Sequence, residues 1–138
     1  MDKQEKIKRI NQSVQNTMTS TIGIEITDLG EDYLCGKMPV DERTVQPFGL
    51  LHGGASVALA ETLGSIGGGI KVYSKNESVV GIEINANHLK SVRTGWVYGK
   101  AVPIKLGKKI QVWEIKITNE QDELICISRL TLAVVTKS

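Results

Sequence analysis

The sequence predicts an α+β fold, an antiparallel β-sheet wrapped around one long central helix. Three observations carry the prediction. Residues 52–72 (HGGASVALAETLGSIGGGIKV) are the only long helical candidate, and Glu61 is almost the only charge in them. A helix that is apolar nearly all round belongs inside a protein and needs a large cover. Six further segments read as strands, so the order along the chain is β-β-α-β-β-β-β.

Residues 3–19 read as one or two short amphipathic helical turns, within an N-terminal helical segment of residues 1–20. Ile22, Ile24 and Ile26 then alternate as a strand would, Leu29-Gly30-Glu31-Asp32 signals a turn, and Tyr33 to Val40 returns as the second arm of a hairpin. Residues 41–51 hold Pro47 and Gly49 and read as an irregular loop. In the helix, Val57, Ala60, Leu63, Gly64, Gly67 and Gly68 recur at helical spacing. Each interior glycine costs about 0.5–1 kcal/mol relative to alanine, which suggests close approach of another backbone or a ligand. Tight packing of helix on sheet within one chain is the alternative for some of them, and a frayed last turn is an alternative for Gly67 to Gly69. Val79 to Asn87, Trp96 to Ile104, Ile110 to Thr118 and Leu124 to Val135 read as strands, the last three joined by meander-like turns.

The 138 residues suit one domain, 1–138. Aromatic residues are only 4%, so the core must be built from Val, Ile, Leu and Ala. A formal net charge of +2 is too small to argue for nucleic acid or a membrane surface. No apolar run approaches the roughly 18–20 residues that span a bilayer, and Met1 to Ile10 is not a signal peptide. A cytoplasmic location is the expectation. Cys35 and Cys126 have no metal-ligand spacing to His52 or His88, so two buried free thiols and no metal site are expected.

Chemistry-bearing residues converge on the junction of loop and helix. Gln46 lies in the loop, His52, Gly53 and Gly54 open the helix, and Glu61 lies further along it. A helix start offers unpaired backbone N–H groups and a positive dipole end, and glycine lets a ligand oxygen come close. Such a site suits an oxygen that gains negative charge during acyl transfer. The Gly53 N–H is the candidate oxyanion donor, with His52 and Gln46 as assistants. Glu61 has no Lys or Arg three or four positions away. An unpaired carboxylate in an apolar segment must either lie at a cleft or hold its proton unusually firmly, and both suit a catalytic carboxylate. A Glu that merely reaches solvent or caps a partner chain is the alternative.

Glu61 is eight residues beyond Gly53, about 12 Å along the axis at about 1.5 Å per residue. One carbonyl cannot meet both groups of the same helix. If both act on one thioester, they come from two chains whose helices run antiparallel about a two-fold axis, giving a dimer with two composite sites.

TVQPFGLLHGGASVALAE (Thr44 to Glu61) and VGIEINANHLKS (Val80 to Ser91) resemble the PaaI-like hot-dog-fold thioesterases, and within them the 1,4-dihydroxy-2-naphthoyl-CoA and aryl-carrier-protein thioesterases. The resemblance covers nearly the whole chain. It implies the hot-dog fold, with Glu61 as nucleophile or general base, Gln46, His52 and Gly53 around the thioester carbonyl, and Ser65 holding the attacking water or the carboxylate. It places coenzyme A on His88, Leu89, Lys90 and Ser91 and on Lys105, Leu106, Gly107, Lys108 and Lys109, with Gly81 near the pantetheine arm. Lys90, Lys105, Lys108 and Lys109, and Arg93 as a further candidate, are suitable phosphate partners. Each lysine taken singly reads better as a solvated surface charge. The resemblance further implies a homodimer with shared sites, dimers paired into a homotetramer, and no cofactor, coenzyme A being part of the substrate.

The activity so implied is hydrolysis of an acyl- or aroyl-CoA thioester. The acyl group stays open between dihydroxynaphthoyl of menaquinone biosynthesis, phenylacetyl, hydroxybenzoyl and stalled acyl carriers. The Gly67 to Gly69 run departs from the pattern of these relatives near the expected acyl pocket. Two rivals belong to other classes. A non-catalytic acyl-CoA-binding module would need no Glu61, and a hydratase of the same fold would need an Asp and His pair that the sequence does not present.

Overall fold

The computed structural model describes residues 1–137. Two short helices open the chain, α1 (Lys3–Ser13) and α2 (Met18–Thr21). The hairpin β1 (Glu25–Gly30) and β2 (Tyr33–Pro39) follows, then α3 (Gly53–Val72), β3 (Glu77–His88), β4 (Trp96–Leu106), β5 (Ile110–Thr118) and β6 (Leu124–Thr136). The element order is the one expected from the sequence. Several boundaries differ by one to three residues, two of them with a consequence for the site or a clear local cause. Gly23 turns the chain at φ 81, so Ile22 caps α2 and the first strand starts only at Glu25. β4 runs on to Leu106, which puts Lys105 and Leu106 in a strand rather than in a turn.

All six strands pair antiparallel in one sheet, ordered β1-β2-β4-β5-β6-β3. The helix crosses the inner face. Leu59, Ala60 and Leu63 are fully buried against Val97, Ala101, Trp113, Ile115, Leu130 and Leu132. Leu63 seats between two strands because both carry glycine there. A Cβ at Gly36 or Gly99 would stand 2.7 Å or 2.6 Å from its methyl groups.

The helix does not fray at its glycine run but continues to Val72. Gly67 lies under the Trp113 ring, and Gly68 lies under Gln111 and Leu132. Gln111, itself buried, accepts the Trp113 indole N–H at 2.8 Å and donates to the Gly68 carbonyl at 3.3 Å. Tight packing of helix on sheet therefore keeps residues 67 and 68 small. Cys126 is buried, while Cys35 is only half-buried, contrary to the expectation for both.

The two edges of the sheet differ. On β1, Asn11 of α1 imitates a strand. Its Nδ2 donates to the Ile26 carbonyl at 3.0 Å, and its Oδ1 accepts the Ile26 N–H at 2.8 Å. On β3 the outer edge is open along twelve residues. A bulge between Gly81 and Glu83 breaks the alternation, so Ile84 and Ala86 pack on the core while Val80 and Ile82 are 51% and 56% exposed. Among the described residues no helix is long and apolar enough to cross a membrane.

Candidate active site

The first turn of α3 accounts for nearly all of its own backbone donors. His52 is the N-cap, and its Nδ1 accepts the Gly54 N–H at 2.8 Å. That nitrogen must therefore be unprotonated, so the neutral ring carries its proton on Nε2. The Ala55 and Ser56 N–H groups both reach the His52 carbonyl, at 3.0 and 3.3 Å. Of these four first-turn donors, the Gly53 N–H alone has no acceptor among the described residues. It is the free donor of a positive helix end, as the sequence suggested.

Gln46 is oriented by its own loop. Its Oε1 accepts the N–H groups of Phe48 at 2.6 Å and Leu50 at 3.3 Å, which leaves the amide NH₂ as the outward, donating end. The loop is tied back to the helix start by the His52 N–H, which donates to the Thr44 carbonyl at 2.8 Å. Thr44 is buried and bonds the Pro39 carbonyl at 2.7 Å, so the loop hangs from the end of β2.

Gln46 and Gly53 line a cleft of about 420 Å³ together with His88, Leu89, Lys90 and Ser91. The end of β3 is thus brought to the start of α3. The contact is close, since a Cβ on residue 53 would stand 2.9 Å from His88 Nε2. Leu50, Leu51, Ser56 and Ile125 complete the lining and were not singled out from the sequence. Ser56 had a legible signal, a small polar residue three positions past Gly53 and hence on the same helix face.

Lys90 is not free. Its Nζ stands 2.6 Å from Glu123 Oε2, and this hydrogen bond, with a second from Asn119, holds the Glu123 carboxyl below the usual carboxylate range. A neighbouring groove of about 280 Å³ holds Lys90 and Arg93 beside Asn119, Glu120, Gln121 and Glu123.

Glu61 lies elsewhere. It is half-buried on the flank of α3, with no hydrogen-bond or ion-pair partner among the described residues. Its carboxylate faces β3 at Gly81, where a Cβ would stand 2.7 Å from Oε2. Ser65 is half-buried one turn further on. Within one chain, then, Gly53 goes with His88 and Glu61 goes with Gly81. The lysine turn is also apart. Lys109 bonds Val134 on β6, whereas His88 pairs with Cys126 on that strand. The eight residues between span about 26 Å at about 3.3 Å each. Lys105, Leu106, Gly107, Lys108 and Lys109 thus stand at the opposite end of the sheet from His88 to Ser91. No group of three or more His, Cys, Asp or Glu among the described residues is placed to hold a metal.

The family model of the thioesterase superfamily matches residues 48–126. A 1,4-dihydroxy-2-naphthoyl-CoA hydrolase of Escherichia coli is 47% identical over 128 residues, covering 93% of each chain. The proofreading thioesterase EntH of Cronobacter turicensis is 49% identical over 128 residues, again 93% of each. The crystal structure of a thioesterase from Haemophilus influenzae superposes with a TM-score of 0.92 at 52% identity, covering 94% of this chain and 90% of that one. This chain belongs to the thioesterase superfamily, as a thioester hydrolase of the hot-dog fold.

Proposed function

We propose that the chain hydrolyses an acyl- or aroyl-coenzyme A, and that each active site is shared by two copies related by a two-fold axis. One observation carries the reading. Gly53 touches His88, and Glu61 touches Gly81, on the same open-edged strand. If two β3 edges pair antiparallel with His88 of one copy level with Gly81 of the other, Gly53 of the first meets Glu61 of the second. The same operation sets Val79 of the second copy level with Lys90 of the first. It thereby carries the lysine turn of the second copy, which bonds β6 beside Val79, to the His88 end. One symmetry element reunites both separated pairs. The exposed Val80 and Ile82 on an unpaired edge, set against the covered edge at β1, support β3 as the joining strand. Pairing of dimers into tetramers is a further expectation, tested by light scattering.

The chemistry follows from the groups present. The thioester carbonyl oxygen accepts from the Gly53 N–H and from the Gln46 amide, which stabilise the charge it gains. Glu61 either attacks the carbonyl carbon or takes a proton from water that attacks it, with Ser65 beside it. The C–S bond breaks and coenzyme A leaves as the thiol; where Glu61 has attacked, water then hydrolyses the resulting anhydride, and on either route the acyl group leaves as the acid. Lys90 and the Lys105 to Lys109 segment are the candidate phosphate partners, and the reaction as proposed uses no cofactor. The name of one relative, the 1,4-dihydroxy-2-naphthoyl-CoA hydrolase, supports a bulky aroyl group.

Thiol release from a panel of CoA esters tests the activity. Glu61→Ala is expected to lose several orders of magnitude in turnover with substrate binding retained, and near-normal turnover would refute the assignment. Partial activity in Glu61→Asp favours the general-base role. Mixing Glu61→Ala chains with Gly53→Pro chains, each inactive alone, tests the shared site. Proline is tolerated at the first helical position and removes the N–H, while its added carbons also press on His88. Mixed dimers that regain no activity would rule out the shared arrangement.

A further inference from the structure

Five polar residues are buried among the described residues, and four of them spend their side chains inside the chain. Thr44 bonds the Pro39 carbonyl, Gln111 the Gly68 carbonyl, Ser128 the Asn85 carbonyl and Asn119 the Glu123 carboxylate. Ser56 is the fifth. It is 3% exposed, and its hydroxyl has no hydrogen-bond partner among the described residues. A helical serine commonly bonds the carbonyl one turn back. Here that acceptor, the His52 carbonyl, already takes the N–H groups of Ala55 and Ser56. No fully enclosed side-chain oxygen or nitrogen among the described residues lacks a partner. The Ser56 oxygen is therefore not enclosed, and the space it reaches is the cleft that the residue lines.

Its height on the helix says what it can meet there. Ser56 stands about 4.5 Å along the axis from Gly53, on the same face. The Gly53 N–H points out of the helix end, so an oxygen held on it lies beyond that end. The Ser56 hydroxyl is too far inward to share that oxygen. It meets an atom several bonds away along the same substrate. Lys90, a candidate phosphate partner, lines the cleft as well, whereas Glu61 of the same chain does not. Between thioester and phosphates a coenzyme A ester has only its thiol arm, whose first polar group is a secondary amide two methylenes beyond the sulfur. A hydroxyl both donates and accepts, so it can pair with the N–H or the carbonyl of an amide.

We propose that Ser56 is a substrate-binding residue whose hydroxyl bonds the first amide of the thiol arm, fixing the thioester carbonyl at the Gly53 N–H. This rests on the thioesterase site proposed above. An alanine would fill the same place in the helix without a buried polar group, so the serine is explained by what enters the cleft.

The test uses Ser56→Ala in the full chain, with one acyl group on three thiols. These are benzoyl-CoA, S-benzoyl-N-acetylcysteamine, which keeps the first amide, and S-ethyl thiobenzoate, which has none. For the first two, kcat/KM is expected to fall by the same factor, about three- to tenfold, the worth of one neutral hydrogen bond, and for the third by less than about twofold. In Glu61→Ala chains, adding Ser56→Ala should weaken benzoyl-CoA binding by a similar factor in calorimetry. Alanine is the better helix former, so Ser56→Ala should melt no lower than the parent, and a selective loss is not a loss of fold. An equal loss on all three esters overturns the proposal, because the hydroxyl then acts at the thioester or on the fold. A loss confined to benzoyl-CoA overturns it too, since the contact then lies beyond the first amide. So does no loss on any ester, or dissociation of the assembly on size-exclusion chromatography, where the hydroxyl serves a second copy. If Glu61→Ala leaves turnover intact, the thioesterase site itself falls and the proposal with it. If Glu61→Ala abolishes turnover while Ser56→Ala treats all three esters alike, the role of Ser56 alone is refuted.

Discussion

The imidazole of His88 lies against Gly53 so closely that a Cβ on residue 53 would stand 2.9 Å from Nε2. The glycine that leaves a free N–H at the start of α3 thus also makes room for the side chain that ends β3. Gly53→Ala forces His88 aside, and His88 is exposed enough to yield, so stability should change little. Turnover should fall about 10–100-fold, because small misplacements of catalytic groups are costly. In a double-mutant cycle, Gly53→Ala and His88→Ala should be less than additive in kcat/KM, since each disturbs the same contact.

Gly81 is the counterpart at the other half-site. An added methyl would stand 2.7 Å from Glu61 Oε2, the movable end of a side chain. Gly81→Ala is therefore expected to displace the carboxylate and lower kcat up to about 100-fold. Its thermal unfolding should stay close to the parent's, because Gly81 lies on an exposed strand.

Lys90 and Glu123 compete with the proposed phosphate ligand. Glu123→Gln releases the Lys90 ammonium from the carboxylate at 2.6 Å. KM for CoA esters should fall roughly two- to fivefold at low salt, the range expected of an exposed pair, and the gain should shrink as salt is added. The folded Glu123 carboxyl titrates below its ordinary range, chiefly because of Lys90. Its contribution to stability is thus present above the ordinary carboxylate pKa and is lost as pH falls through the lowered one. Melting curves of parent and variant should accordingly differ at neutral pH and converge in acid.

Adjacent glycines should respond with opposite signs. At Gly68 a Cβ would stand 2.5 Å from Gln111 Oε1 and 2.6 Å from Leu132, so Gly68→Ala overpacks the helix–sheet contact. Destabilisation of about 1–3 kcal/mol is expected in urea unfolding. Gly69→Ala, with open space, should stabilise by up to about 1 kcal/mol.

Much of the fold was legible because its periods are local. The stretch around Leu59 and Leu63, apolar but for Glu61, could only be a buried helix, and the alternation in residues 110–118 could only be a strand. Ile22 was misread as strand because alternation persists across the turn that Gly23 makes. At Ile82 a bulge turns the side chain outward although the sequence keeps alternating through Val80, Ile82, Ile84 and Ala86. In the site, Gln46, His52 and Gly53 were legible from helix-start chemistry. Leu50, Leu51 and Ile125 were not, since nothing local marks a residue as lining a cleft made by distant segments.

By itself the sequence determined the element order, the identity of the buried helix, the free donor at its start and the lone carboxylate eight residues on. These depend on spacing along one chain, which helical rise converts directly into distance. Only the tertiary structure decided that β3 lies at the open edge beside β6, that His88 meets Gly53 and Gly81 meets Glu61, and that the two lysine groups stand at opposite ends of the sheet. It also separated Gly67 and Gly68, held small by Trp113, Gln111 and Leu132, from Gly69, which nothing touches. Strand order and side-chain contact arise from packing between residues far apart in the chain, and no local period encodes them.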